Sequence, residues 1–277
     1  MGINTIHRRV TVSVSLVLLV GLFVAATSDN ERYRYRKNNS FFSGEKLDYR
    51  VHFGFISAGE ATLSIDDELE SVNGRPCYKI DVSGQTSGFF DFFYTVRDSW
   101  GTYLDTASLV PHKFYEDKRE NKYRKHEVVE FNHCTDTAKV YRLDKEKPTE
   151  YFSTPKQPQD LVSGYYYIRT LDYTDIKKGD VISLDAFYDK EVYDFKVRFL
   201  GREVVKTKLG KVKTLAFTPI MKKNDLFEDG DEKIKIWLSD DSNKIPIKIS
   251  AKMWLGAVEL DLTSVENLRG PLAIVDK

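Results

Sequence analysis

The residues best equipped for chemistry sit in short acidic stretches. Ser239-Asp240-Asp241-Ser242-Asn243 gathers carboxylates, hydroxyls and an amide side by side. Asp225, Glu228, Asp229, Asp231 and Glu232 surround Gly230 a little upstream. Oxygen clusters of this kind suit a hard cation such as calcium. The spacing of the second stretch matches no calcium-loop motif, and an acidic loop between strands is the expected reading. The first stretch lies between alternating apolar runs, where Asp and Asn also serve as turn formers. "LDTASLVPH" (104–112) repeats that turn and its Pro with a single acid. Asp240 and Asp241 are therefore expected to shape a hairpin and not to hold a metal.

Paired acids also suit general acid–base work on a polysaccharide, and Asp91 and Asp98 are the nearest pair to consider. Nothing in their spacing fixes a catalytic separation. His126 and His133 bracket "EVVEFN", and on one strand they point to opposite faces, so a single metal does not readily take both. No HExxH, GxSxG, GxGxxG or phosphate-loop pattern occurs. The chain reads as a non-enzyme with no metal and no cofactor.

Aromatic residues are the more distinctive feature. They make up 13% of the chain, with 16 Tyr and 17 Phe, a bias that suits strands. "SGFFDFFYTVRDSW" crowds Phe89, Phe90, Phe92, Phe93, Tyr94 and Trp100 together, and strict alternation is lost at its start. Tyr165, Tyr166 and Tyr167 are consecutive, so on a helix they would cover most of its circumference. Such rings usually build ordinary core. The functional alternative is an apolar cavity between a curved sheet and a covering helix. Its candidate lining is Phe89, Phe90, Phe92, Phe93, Trp100, Tyr165, Tyr166, Trp237 and Trp254.

The elements that must position these rings are mostly strands. Leu47, Tyr49, Val51, Phe53 and Phe55 alternate with polar residues, and Ala61, Leu63 and Ile65 resume the period of two after a turn. Further alternating runs fall at 77–86, 92–104, 112–118, 122–132, 138–143, 181–188, 192–200, 203–218, 232–239, 245–254 and 257–265. Leu161, Tyr165 and Ile168 recur at helical spacing, which predicts a helix over about 159–172, entered through Pro158. The expected fold is mainly β: an antiparallel meander forming an open or closed barrel-like sheet, with one main helix. "YLDTASLVPHKF" (103–114) resembles "WLSDDSNKIPIKI" (237–249), and each follows a Gly-initiated strand at nearly equal distance. The β-domain, 44–268, is thus expected to comprise two similar halves, about 44–156 and 180–268. Residues 29–43 read as a flexible leader and 269–277 as a tail.

The N-terminus indicates a compartment. His7-Arg8-Arg9 precedes an apolar run from Val10 to Ala26, and Ala25-Ala26-Thr27-Ser28 supplies small residues for a signal peptidase. Residues 1–28 read as a secretory signal peptide; an uncleaved anchor is the alternative. In an oxidising compartment Cys77 and Cys134 either pair in a disulfide or remain two thiols. Net charge is +0 over the whole chain, from 42 basic and 42 acidic residues, with no pooled positive field for a phosphate backbone. A nucleic-acid partner is not expected.

"GEKLDYRVHFGFISAGEATLSI", "VRDSW", "PQDLVSGYYYIRTL", "FKVRFLGREVVKTKLGKVKTLAF" and "KIKIWLSDDSNKIPIKISAKMWLGAVELDLTS" resemble successive blocks of the exported bacterial family of unknown function DUF3108. The resemblance spans nearly all of the chain after the signal segment. It implies a β-protein of the periplasm or outer envelope of a Gram-negative bacterium, and no established activity. The hairpins carrying Trp237, Leu238, Asp240, Ile245, Pro246 and Lys248, and Tyr103, Leu104, Asp105, Val110, Pro111 and Lys113, are also similar to one in lipoprotein-carrier and lipid-binding envelope domains of the LolA/RseB type. That likeness implies an open barrel with helical cover and an apolar hollow. The expected function is binding of a hydrophobic or amphipathic ligand such as lipid, and the alternative is an accessory role on an envelope protein partner.

Overall fold

The computed structural model describes residues 33–220, 233–253 and 256–275. The segment at 1–28 expected to be a signal peptide, the acidic stretch at 225–232 and Trp254 lie outside the described residues. The chain divides into residues 1–35 and a compact unit of residues 36–277, which holds every element named below.

Alternating runs become β1 (Lys46–Phe53), β2 (Ile56–Val72), β3 (Arg75–Thr86), β4 (Arg97–Asp105), β5 (Pro111–Glu120), β6 (Tyr123–Asn132), β7 (Thr137–Arg142) and β8 (Glu150–Ser153). After a helix the second half follows as β9 (Val181–Tyr188), β10 (Glu191–Thr207), β11 (Gly210–Ile220), β12 (Ile234–Ser239), β13 (Pro246–Met253) and β14 (Gly256–Glu266). They form one 14-stranded sheet, in the order β8-β7-β6-β5-β4-β3-β2-β1-β14-β13-β12-β11-β10-β9. Each half is a meander, and the antiparallel pairing of β1 with β14 joins them.

The halves repeat in detail. β1 and β9 each span 8 residues, and β2 and β10 each span 17. In the β4–β5 hairpin Tyr103 faces Lys113 and Leu104 faces Pro111 across a one-residue bulge. In β12–β13 Trp237 faces Lys248 and Leu238 faces Pro246 across the same bulge. Each Pro stands where the partner strand has slipped register, so its missing N–H costs no ladder bond.

Among the described residues the expected main helix is joined by a second, short one. α1 (Gly88–Phe93) links β3 to β4, and α2 (Leu161–Arg169) lies between the halves. Asp160 caps α2 by accepting from Val162 N–H and Ser163 N–H, and the Asp160 N–H in turn donates to the Ser163 hydroxyl oxygen. Neither described helix is long and apolar enough to cross a membrane.

α2 seats Tyr166 in the first core with Phe41, Ile80, Leu104, Phe114 and Phe187. Tyr165 packs against both this core and a third one built on Val197, Phe199, Leu215 and Phe217, so the helix ties the halves together. The hydrogen-bonded order is open, yet its two ends approach. Phe152 of β8 and Phe187 of β9 lie 5.8 Å apart, and Gln159 bonds along β9. Lys125 of β6 binds Glu116 of β5 at 2.5 Å and Asp189 of the β9–β10 turn at 3.0 Å.

Three expectations need correction. Within the expected flexible leader, Ser40 and Phe41 are buried, with the Ser40 hydroxyl on Arg169 O. Within the expected tail, Ala273 O accepts from Lys213 N–H and Val275 N–H donates to Lys211 O, which extends β-pairing beside β11. The runs expected at 192–200 and 203–218 divide elsewhere: β10 continues past the register shift at Gly201 to Thr207, and β11 begins at Gly210.

Candidate functional site

α1 is a helix without a core. Ser87 is extended, Gly88 takes a left-handed φ of 57° that favours glycine, and Tyr94 is extended again. None of its residues is buried. Its backbone is nonetheless held firmly. Arg97 grips Asp91 through both carboxylate oxygens, at 2.7 and 3.0 Å. That guanidinium holds the Asp91 carboxyl below its ordinary range. The Thr86 hydroxyl also donates to Asp91, the Thr95 hydroxyl donates to Asp91 O, and Ser87 N–H donates to Ala58 O.

The fixed backbone presents uncovered rings. Phe89 is 66% exposed, Phe92 86% and Phe93 63%. They touch one another, with centroids 4.7 Å apart for Phe89–Phe93 and 5.2 Å for Phe92–Phe93. In the adjacent β1–β2 turn, Phe55 is 98% exposed. Sequence reading missed Phe55 as a site residue because it took it for the last inward residue of an alternating strand. Its following Gly54-Phe55 position at a strand end was the available signal: alternation assigns faces only while the chain stays paired.

The eight expected lining residues that are described do not share one place. Phe89, Phe92 and Phe93 point to solvent, and Phe90 is half-buried beside them. Trp100, half-buried, packs against the first core with Tyr165 and Tyr166. The Trp100 Nε1 is buried with no hydrogen-bond partner among the described residues. Burial pushes the Tyr165 and Tyr166 phenols up from their usual range. Trp237 belongs to the other half, where its Nε1 donates to Glu203 at 2.7 Å and Lys235 lies over its ring at 4.7 Å. Trp254 lies outside the described residues. The expectation of a single aromatic hollow is therefore corrected: the rings divide between an outward margin, the interior around α2, and the second half.

The remaining chemical candidates have structural partners. Asp241 Oδ1 accepts from Asn243 N–H, and its other oxygen accepts from Ala273 N–H. Asp240 binds Arg202 at 3.1 Å. Asp98 accepts from Arg119 N–H. His133 lies beyond the end of β6, with Nε2 2.8 Å from Pro111 O. Among the described residues no group of His, Cys, Asp and Glu could hold a metal ion. Cys77 is buried, Cys134 is exposed, and no disulfide joins them.

The profile of the family described as "Protein of unknown function (DUF3108)" matches residues 48–263. The chain belongs to the DUF3108 family. That span runs from β1 into β14 and takes in α1, α2 and both repeated hairpins. Among solved structures, a beta-barrel-like protein of domain of unknown function DUF1849 from Brucella abortus aligns over 81% of this chain and 97% of its own, with 10% identity and a TM-score of 0.51. At that identity the likeness shows a shared fold and nothing finer. A chain from Parabacteroides distasonis described as a "putative lipoprotein" aligns over 82% of this chain and 97% of its own, at 10% identity and a TM-score of 0.28, too low to establish a common fold. No curated protein matches the sequence.

Proposed function

We propose that this DUF3108 protein is a non-catalytic component of the bacterial cell envelope that binds a hydrophobic or amphipathic ligand such as lipid, through the aromatic margin around α1. The observation that carries this reading is a rigid helix whose Phe89, Phe92 and Phe93 rings are all exposed. A contiguous exposed apolar patch on a soluble chain marks an interaction surface. The signal-like segment at 1–28 supports an exported chain.

Co-sedimentation with lipid vesicles tests the reading. Wild type is expected to pellet with vesicles, and Phe89→Ser, Phe92→Ser and Phe93→Ser are each expected to weaken binding roughly tenfold, since burying one such ring is worth about 1.5–3 kcal/mol. Thermal unfolding is expected to be unchanged, because these rings support no core. Equal binding by wild type and the triple variant overturns the reading. The competing accessory role has its own observation: β8 ends the sheet order and carries the exposed Tyr151. Crosslinking in cells to one dominant protein through β8 would favour it.

A further inference from the structure

The aromatic margin does not stand alone. The β5–β6 turn is bonded directly to the segment that leaves α1. Asn121 N–H donates to Thr95 O at 2.8 Å, and Thr95 N–H donates to Asn121 Oδ1 at 3.0 Å. Val96 bridges Glu120, and the Tyr94 hydroxyl donates to Glu120 at 2.9 Å. The two tips therefore form one rigid surface.

Their charges do not cancel. From Asp117 to Lys125 the hairpin carries Lys118, Arg119, Lys122, Arg124 and Lys125 against Asp117 and Glu120. Lys118 and Lys125 turn inward onto Glu116, which is almost wholly buried. Arg119 pairs with Asp117 at 2.6 Å. On α1 itself Asp91 is neutralised by Arg97. Asp98 is buried, while Glu60 accepts from the neutral Gln85 amide and Glu120 from the neutral Tyr94 hydroxyl, so these two carboxylates keep their charge beside the outward cations. Lys122 and Arg124 remain outward, flank the exposed Tyr123, and make no ion pair among the described residues. Arg124 instead braces the turn by donating to Asn121 O and Tyr123 O.

We infer that this combined surface docks on a bilayer carrying anionic lipid: the Phe rings of α1 enter the interface while Lys122 and Arg124 meet headgroup phosphates. Apolar rings, amphipathic tyrosines and cations side by side are what an interfacial anchor requires. The inference rests on the aromatic margin being a lipid-binding surface, and it adds the class of lipid and the residues that select it. A protein partner would need shape complementarity over an area far larger than two tips supply. A bilayer requires only insertion depth and charge.

The test compares full-length wild type with Lys122→Glu/Arg124→Glu, Lys122→Ser/Arg124→Ser and the triple Phe→Ser variant, all sharing one N-terminus. Vesicles of phosphatidylcholine, with and without added phosphatidylglycerol, are the probe. Wild type is expected to bind the anionic vesicles roughly 25-fold more tightly at low salt, from about fivefold per basic residue near the surface. That preference is expected to fall in the Ser pair, vanish in the Glu pair and shrink with added salt. Equal affinity of wild type for both vesicles overturns the inference, as does a preference that survives in the Glu pair. Failure of the aromatic reading looks different: the triple Phe variant would bind both vesicle types as wild type does. Unchanged thermal unfolding of the Ser pair confirms an intact fold.

Discussion

Arg169 and Glu45, 124 positions apart in sequence, form a fully buried ion pair with both partners at 0% exposure. Two bonds of 2.5 and 2.7 Å join guanidinium and carboxylate. The same guanidinium donates to Asn243 O and Ser40 O and lies within 5.6 Å of the Phe41, Tyr165 and Tyr166 ring centres. One side chain thus fastens the segment before β1, helix α2 and the β12–β13 hairpin. Breaking such a pair leaves an uncompensated buried charge, which costs about 3–5 kcal/mol. Glu45→Ala is therefore expected to lower the unfolding free energy in urea by that amount. Glu45→Leu combined with Arg169→Met is expected to be less damaging than either change alone. A double variant as unstable as the sum of the singles would show that the two residues act separately.

A second expectation concerns pH. Asp160 is buried at the head of α2, and burial pushes its carboxyl up from 3.8 to about 6. The proton is thus held more tightly in the folded chain than in the unfolded one. Below about pH 3.8 both states are protonated; between about 3.8 and 6 only the folded state keeps the proton, so stability falls as pH rises through that window and then levels. The loss amounts to about 3 kcal/mol. Asn retains an oxygen for the Val162 and Ser163 N–H groups. Asp160→Asn is therefore expected to gain on wild type between pH 4 and 7 in paired denaturation curves, and parallel curves would contradict the assignment.

The cysteines give a simple chemical test. Desolvation pushes the Cys77 thiol up to about 12, so almost no thiolate is present near neutrality. Cys134 is exposed. In the folded protein an alkylating reagent is expected to label Cys134 quickly and Cys77 only after denaturation. Mass spectrometry of peptides from native and unfolded samples reads this directly. Rapid native labelling of Cys77 would mean that β3 opens locally.

What the sequence made visible follows from which interactions are periodic. The strand run at 181–188 coincides with β9, and the twin hairpins stand in matching register, because alternation and turn chemistry act over neighbouring residues. α2 was legible at 159–172 and is observed at Leu161–Arg169, its start fixed by Asp160. α1 was not legible, since a helix with no buried face has no apolar period to detect. Its only trace was the lost alternation at Phe89 and Phe90. The Arg169–Glu45 pair left no local signature. Phe92 and Tyr166 look alike in sequence, and only the path of the chain makes one a surface ring and the other core.

The position of α1 depends on a close approach between β2 and β3. A Cβ added at Gly59 would lie 2.2 Å from Gln85 O, a backbone atom that cannot rotate away, and 3.2 Å from the Thr86 Cα. Gly84, on the facing strand, has nothing within 4 Å of its would-be Cβ. Gly59→Ala must push the strands apart where Ser87 N–H meets Ala58 O, just ahead of the helix. Overpacking of this kind costs about 1–3 kcal/mol. Gly84→Ala is expected to leave the melting temperature within a degree or two of wild type by the same reasoning. Because the strain falls at the foot of α1, Gly59→Ala is also expected to speed amide exchange in residues 86–96 more than in β5–β6. Uniform exchange across the sheet would instead mean that α1 is not anchored through this contact.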